Sequence, residues 1–272
     1  MPLRKPTMAL TIAGFDPSGG AGVLADVRTF AAFGLQAGAA ITSVTFQNST
    51  GFLGAVHQPA EVVRAQVESL LEDHAIACAK TGMLPTRSVV LEVARLFRET
   101  DLPRPVVDPV IMSSSGHRLM EEDAVRELVN ELMPLASLVT PNIPEAETLT
   151  GMTITSEADM RRAAAAIREM GARAVLVKGG HLGGEKAESG RQTAENADAV
   201  DVLDNEGRVT VFREQRISGA ALHGSGCILS AAIAAGLGKG MTLEESVGAA
   251  KSFVLAAIRN LGQQASQPHQ EP

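Results

Sequence analysis

Met8-Ala9-Leu10-Thr11-Ile12-Ala13-Gly14-Phe15-Asp16-Pro17-Ser18-Gly19-Gly20-Ala21-Gly22 is the stretch on which the fold turns. Met8–Ala13 is a short apolar run of strand character that closes on glycines. Ala21–Phe33 then places Val23, Val27 and Phe30 at helical spacing. The chain keeps this alternation. Ala39–Phe46 is the next apolar run, and Glu61–Leu71 is a helix with Val62, Val63, Val67 and Leu70 on one face. The run Ala75–Ala79 precedes a helix through Val89, Val93 and Leu96, and Pro105–Val107 precedes a helix near Glu121–Leu132. Ser137–Thr140 leads into the turn Pro141–Pro144. Met160–Met170 is helical, and Ala174–Val177 is a strand ending in Lys178-Gly179-Gly180. Strands apolar on both faces, each followed by a helix, predict an α/β fold with a parallel sheet covered on both sides.

The second half changes character. Gly183–Asn196 is polar and Gly-rich and reads as a long loop. Val200–Leu203 and Arg208–Phe212 flank Asp204-Asn205-Glu206-Gly207 and predict a hairpin. Two alanine-rich helices follow, near Cys227–Leu237 and Leu243–Leu261. Periodicity leaves open whether the apolar helix Leu229–Leu237 faces the core or a partner subunit. With neither repeat nor linker, residues 1–262 are expected to form one domain, and 263–272 a flexible polar tail.

Composition narrows the function classes. The 272 residues are 45% hydrophobic and 20% charged, as in ordinary globular chains. A net charge of −7 argues against a broad nucleic-acid surface. With no Trp, no Tyr and 3% aromatics, stacking platforms and interfacial belts are disfavoured. No run approaches the roughly 20 apolar residues a membrane helix needs, and MPLRKPT leads into a Gly-rich turn rather than a cleavage site. A cytoplasmic protein without nucleic-acid or membrane partners is therefore expected. Its two cysteines, Cys78 and Cys227, exclude a disulfide scaffold or four-Cys zinc site and leave room for a reactive thiol.

Glycine-rich turns after strands are where open α/β sheets bind ligands. Gly20-Ala21-Gly22-Val23-Leu24-Ala25 satisfies a loose dinucleotide pattern, but the following strand leads into Gln47-Asn48 with no carboxylate for a ribose. The turn His223-Gly224-Ser225-Gly226-Cys227 is more telling. Glycines before an apolar helix leave backbone N–H groups to face an anion, and the helix dipole favours negative charge there. The same field favours the thiolate of Cys227. The alternative for Cys227 is a small buried hydrophobe beside a simple chain turn.

Seven blocks in order carry a resemblance: Ala13–Gly22 with Asp26, Thr45-Phe46-Gln47-Asn48, Lys80-Thr81-Gly82-Met83-Leu84, Asp108-Pro109-Val110, Thr140-Pro141-Asn142 with Pro144-Glu145-Ala146, Val177–His181, and His223–Cys227. They span roughly residues 9–260, and the chain so resembles the hydroxymethylpyrimidine/phosphomethylpyrimidine kinases of thiamine biosynthesis. The resemblance implies the ribokinase-like three-layer sandwich, with a mostly parallel central sheet between helices. It implies ATP-dependent phosphorylation of a pyrimidine hydroxymethyl group and then of the resulting phosphomethyl compound. ATP would be co-substrate, Mg²⁺ the metal, and a homodimer a common assembly of the family.

Residue roles follow from the same resemblance. Gly224, Ser225, Gly226 and Cys227 would form an anion hole, with Cys227 as the base in the first step. Lys178 would offset charge on the phosphates, and Asn142 and Gly180 would meet the nucleotide. Asp26 and Gln47 would bind the aminopyrimidine, since a carboxylate or amide accepts from an exocyclic amine. Gly14, Met83 and Val110 would line the pocket, with core packing the alternative for the last two. Asp108 and Glu145 would serve Mg²⁺ directly or through water. Two departures stand out. Phe15 replaces the serine more usual in this family and bears on substrate identity, while Ser225 replaces a commoner threonine and keeps the hydroxyl. The loop Gly183–Asn196 would be a nucleotide lid or disordered. A pyridoxal or pyridoxine kinase is the alternative substrate reading, and a non-catalytic pyrimidine sensor a further one.

Overall fold

The computed structural model describes residues 5–48, 51–113, 115–180, 198–215 and 223–265. Strand β1 (Thr7–Phe15) is buried from Met8 to Gly14, and helix α1 (Gly22–Ala32) follows the first glycine turn. Strand β2 (Gln36–Asn48) then pairs parallel with β1. The later elements are β3 (Gly51–His57), α2 (Ala60–Asp73), β4 (Ala75–Thr81), α3 (Arg87–Glu99), β5 (Val106–Val107), α4 (Glu122–Glu127), β6 (Leu138–Val139), α5 (Ile143–Thr150) and α6 (Glu157–Glu169). The chain closes with β7 (Ala174–Gly179), β8 (Asp198–Asn205), β9 (Arg208–Gln215), α7 (Ser225–Gly238) and α8 (Leu243–Ala265).

Among the described residues the strands form one nine-stranded sheet in the order β3-β2-β1-β4-β5-β6-β7-β8-β9. Pairing is parallel from β2 through β7 and antiparallel at β2/β3, β7/β8 and β8/β9. Strand order reverses at β1, where β2 lies on one side and β4 on the other. That arrangement opens a crevice at the carboxyl ends of the parallel strands.

Two apolar layers sandwich the sheet. One packs Val63 and Val67 of α2, Val89, Val93 and Leu96 of α3, and Met160 and Ile167 of α6 against the strands. The other packs Phe30 of α1 with Leu229–Ala235 of α7 and Val247 and Ala250 of α8, and Phe33 meets Phe253 edge-on. The expected α/β sandwich is therefore present. The face of α7 left open by periodicity belongs to the core. No helix among the described residues is long and apolar enough to cross a membrane.

Four local features differ from expectation. Strand β3 was not read from the sequence: it is an apolar edge strand with Leu53 76% exposed, so no alternation marks it. The helix expected to Leu132 leaves α geometry after Glu127, passing through a π turn at Leu128–Leu132 and a 3₁₀ turn at Met133–Leu135 that contains Pro134. The hairpin turn is shorter than read, because Glu206 and Gly207 alone bridge the strands, both with positive φ. Helix α8 extends to Ala265, and residues 266–272 lie outside the described part.

Phe30 is fully buried in the layer that joins α1 to α7. Phe30→Ala is expected to cost about 3–5 kcal/mol. The check is urea denaturation, where the midpoint should fall with an unchanged slope, and a loss below about 1 kcal/mol would contradict this anchoring.

Candidate functional site

The site is built where the first glycine turn meets the start of α7. Gly22 has a left-handed φ of 59°, and a side chain there would collide with the Gly14 carbonyl. Gly224, the N-cap of α7, has φ 76°, and a side chain there would collide with the Gly20 carbonyl. Both positions demand glycine for conformation and for space. The two backbones therefore interlock, and the Gly22 N–H donates to the Cys227 thiol across the junction.

The expectation of a favoured thiolate at Cys227 is reversed. Burial pushes the thiol above its ordinary range, with Asp26 and Asp108 adding to the rise. Lys80 and the Gly22 amide pull it down without prevailing. The helix-end field is real but local, and desolvation outweighs it. Cys227 is half-buried and rests as a thiol. Cys78 is buried and its pKa is pushed up to about 12 by desolvation, which suits a packing role.

A second correction concerns Asp26. It was expected on the aminopyrimidine, yet neither it nor Lys80 exposes any surface. Lys80 Nζ donates to Asp26 Oδ1 at 3.0 Å and Oδ2 at 2.8 Å, and the Thr11 hydroxyl donates to Oδ2 at 2.6 Å. With its oxygens turned inward to these donors, the carboxylate offers a ligand nothing in this arrangement. Burial opposes the Lys80 charge, but the ionised Asp26 and Asp108 hold the ammonium protonated beyond the usual lysine range.

Lys178 is the penultimate residue of β7, where Asn142 bridges it, and its Nζ donates to Asp108 Oδ1 at 2.9 Å. Thr140 donates to the same oxygen at 3.0 Å and Ser230 of α7 to Oδ2 at 3.3 Å. Burial would raise the Asp108 pKa, but Lys178 and Lys80 outweigh it and hold the carboxyl below the usual range. A Cβ placed on Gly226 would lie 3.1 Å from Lys178 Nζ and 3.9 Å from Asp108 Oδ2. The glycine turn, the lysine and the aspartate thus converge, although they come from three distant segments.

Glu145 sits in the first turn of α5. Its Oε2 accepts from the Asn142 amide at 2.8 Å, while Asn142 Oδ1 accepts from the Glu145 amide at 2.9 Å, a reciprocal capping box. Burial pushes the Glu145 carboxyl up to about 7, Asp108 adds to the rise, and Lys178 opposes it. Asn142 therefore spends its side-chain oxygen on capping, and Gly180 is exposed with open space around it. On the other flank, a Cβ on Gly14 would lie 3.1 Å from Met83 Sδ. Met83 is buried and Val110 half-buried, and the Gln47 side chain donates to Asp16. Gly183–Asn196 lies outside the described residues.

Sequence reading missed the working partners Lys80, Asp16 and His223, although all three stand inside quoted motifs. A lysine closing the apolar run Ala75–Ala79 is itself a signal, since a buried ammonium demands a buried acceptor. Among the described residues, no group of three or more His, Cys, Asp or Glu side chains is placed to hold a metal. The Asp108–Glu145 pair still fits a divalent ion that takes most of its ligands from water and phosphate, because these two buried carboxylates repel one another and lack a full complement of positive charge.

The phosphomethylpyrimidine kinase family matches residues 16–270. A hydroxymethylpyrimidine/phosphomethylpyrimidine kinase of Streptomyces coelicolor is 42% identical over 257 residues, covering 94% of this chain and 90% of its own. Among solved structures, phosphomethylpyrimidine kinase from Clostridium difficile 630 superposes with a TM-score of 0.78 at 36% identity, over 94% of this chain and 100% of that one. An ADP complex of Bacillus subtilis pyridoxal kinase gives 0.80 at 34% identity, over 93% and 92%.

The raised Glu145 carboxyl has a stability consequence of definite sign. Between its ordinary 4.5 and about 7 the folded chain keeps a proton that the unfolded chain releases, so stability falls as pH rises through this window. Glu145→Gln keeps an acceptor for the Asn142 amide and removes the titration. From pH 5 to pH 8, urea denaturation should show the unaltered protein losing about 3 kcal/mol more than the variant. Parallel pH profiles for the two would mean that the carboxyl ionises normally.

Proposed function

The chain belongs to the phosphomethylpyrimidine kinase family, and on that premise we propose that it phosphorylates 4-amino-5-hydroxymethyl-2-methylpyrimidine with ATP and then converts the monophosphate to the diphosphate, in thiamine biosynthesis. The observation that carries this reading is the convergence of Gly226, Lys178 and Asp108 at the carboxyl edge of the sheet. Phosphoryl transfer asks the protein for positioning and charge stabilisation more than for covalent chemistry. The amides of Ser225, Gly226 and Cys227, in the first turn of α7 and without acceptors inside the helix, receive the moving phosphoryl group. Lys178 sits beside them and offsets its charge. Asn142 and Gly180 border the nucleotide from the ends of β6 and β7.

The pyrimidine lies across the junction, against Gly14, Met83 and Val110, with the Gln47 amide addressing a ring edge. Asp26 acts from behind, by holding Lys80 in place. When bound, Mg²⁺ screens the phosphate charge, with Asp108 and Glu145 as its nearest carboxylates, directly or through water. Lys178 keeps Asp108 ionised until then. Cys227 is the residue available to take the hydroxyl proton in the first step, and its neutral resting state sets a condition on that step. In the second step the acceptor is an ionised phosphate and needs no base.

The test is a substrate panel with ATP in which mono- and diphosphate products are resolved. Both pyrimidine phosphates are expected. Phosphorylation of a pyridoxine vitamer with the hydroxymethylpyrimidine inert would overturn the assignment in favour of the related vitamin kinases. Within the same assay, Cys227→Ala should slow the first phosphorylation at least tenfold more than the second. The first-step rate of the unaltered enzyme should climb with pH above neutrality as the raised thiol ionises, and this climb should vanish in Cys227→Ala. Equal loss in both steps would assign Cys227 to packing or the anion hole.

A further inference from the structure

Asp16 is almost completely buried and collects donors from three segments of the chain. Within the first glycine turn, the Ser18 amide and hydroxyl donate to Oδ1 at 2.8 and 2.7 Å, and the Ala21 amide donates to Oδ2 at 2.9 Å. From the end of β2, the Gln47 side chain donates as well. From the residue before the N-cap of α7, His223 Nε2 lies 3.1 Å from Oδ2. Burial works against the Asp16 charge, yet the hydroxyl, amide and Gln47 donors together hold the carboxyl below its usual range. An ionised carboxylate only accepts, so His223 Nε2 carries the proton in this contact.

The surroundings of His223 give the contact its purpose. Its ring packs on Gly20 so closely that a side chain at Gly20 would collide with it. The next residue, Gly224, caps α7 without any side-chain hydrogen bond and sits against the Gly20 backbone. The entry to the turn is thus pinned from outside the helix, by a bond that reaches 207 positions back along the chain. We propose that the Asp16–His223 hydrogen bond is a latch that holds the Gly224–Cys227 turn in register with the first glycine loop, which makes His223 a positioning residue for phosphoryl transfer. The transfer clause rests on the kinase reading above; the latch itself does not. Because Asp16 also receives Gln47, one carboxylate ties the pyrimidine side of the site to the phosphate side.

Two measurements on His223→Ala and His223→Gln test the latch. Gln keeps an N–H at a reach comparable to Nε2, whereas Ala removes it. In His223→Ala, hydrogen exchange should accelerate at least tenfold at the Gly22 amide, which bonds to Cys227, and at the Ile228 amide, which bonds to the Gly224 carbonyl at 3.0 Å. Exchange in the core of β1 and β4 should stay unchanged, which separates a local latch from general loosening. In turnover, kcat of both phosphorylations should fall tenfold or more with KM for ATP and pyrimidine within twofold. His223→Gln should restore exchange and kcat to within threefold. Unchanged exchange in His223→Ala, or a Gln variant as impaired as Ala, overturns the latch. Altered exchange with undiminished kcat overturns its part in transfer. Should the unaltered chain turn over neither pyrimidine, the kinase reading falls while the exchange data still decide the latch.

Discussion

Lys80 and Asp26 form an ion pair with no surface in contact with water, and the architecture around the site is arranged about it. A charge so placed is tolerated only with its partner and with every remaining donor and acceptor engaged. Asp26 meets that condition through two contacts from Lys80 and one from Thr11. The pair thereby ties α1 to β4 across β1, at the point where the strand order reverses. Losing either partner would strand the other charge in the interior, so the pair specifies this junction more than it stabilises it.

Its second effect is electrostatic. The Lys80 field reaches Asp108 and Cys227, helping to keep the first ionised and opposing the burial that keeps the second protonated. Beyond it lie Lys178, Asp108 and Glu145, so the buried carboxylates outnumber the buried ammonium groups along this edge. The imbalance is relieved by Glu145, which holds a proton to about pH 7. An arriving cation would relieve it differently, by favouring ionised Glu145. On the kinase reading proposed above, the site offers polyphosphate few free positive charges and would rely on backbone N–H groups to meet the anion.

Those N–H groups are reachable because side chains are missing where two loops meet. Gly20, Gly22 and Gly224 lie in contacts too close for a Cβ, against His223, Gly14 and Gly20 respectively. The resulting contact of backbone on backbone is rigid only if something fixes its register. The Asp16 carboxylate supplies that link, since it draws on the loop, on Gln47 and on His223 at once.

Much of this was legible beforehand. Apolar runs such as Met8–Ala13 and Ala174–Val177 fall on β1 and β7, and residues at the carboxyl ends of the parallel strands, among them Gly14, Asp108 and Lys178, do gather at one edge. Strand β3 escaped because its side chains neither alternate nor hide. At the start of α5 the stretch Pro141–Pro144 reads as a turn, although Asn142 and Glu145 carry the spacing of a capping box. By itself the sequence determined the layered α/β fold, the family and the set of residues offered for the candidate site, because these rest on local periodicity and short motifs. Only the tertiary structure decided that Asp26 faces Lys80 rather than a ligand, that Cys227 rests protonated, and that His223 reaches Asp16. Partners 54 and 207 positions apart, and the desolvation that shifts a pKa, exist only once the chain has packed.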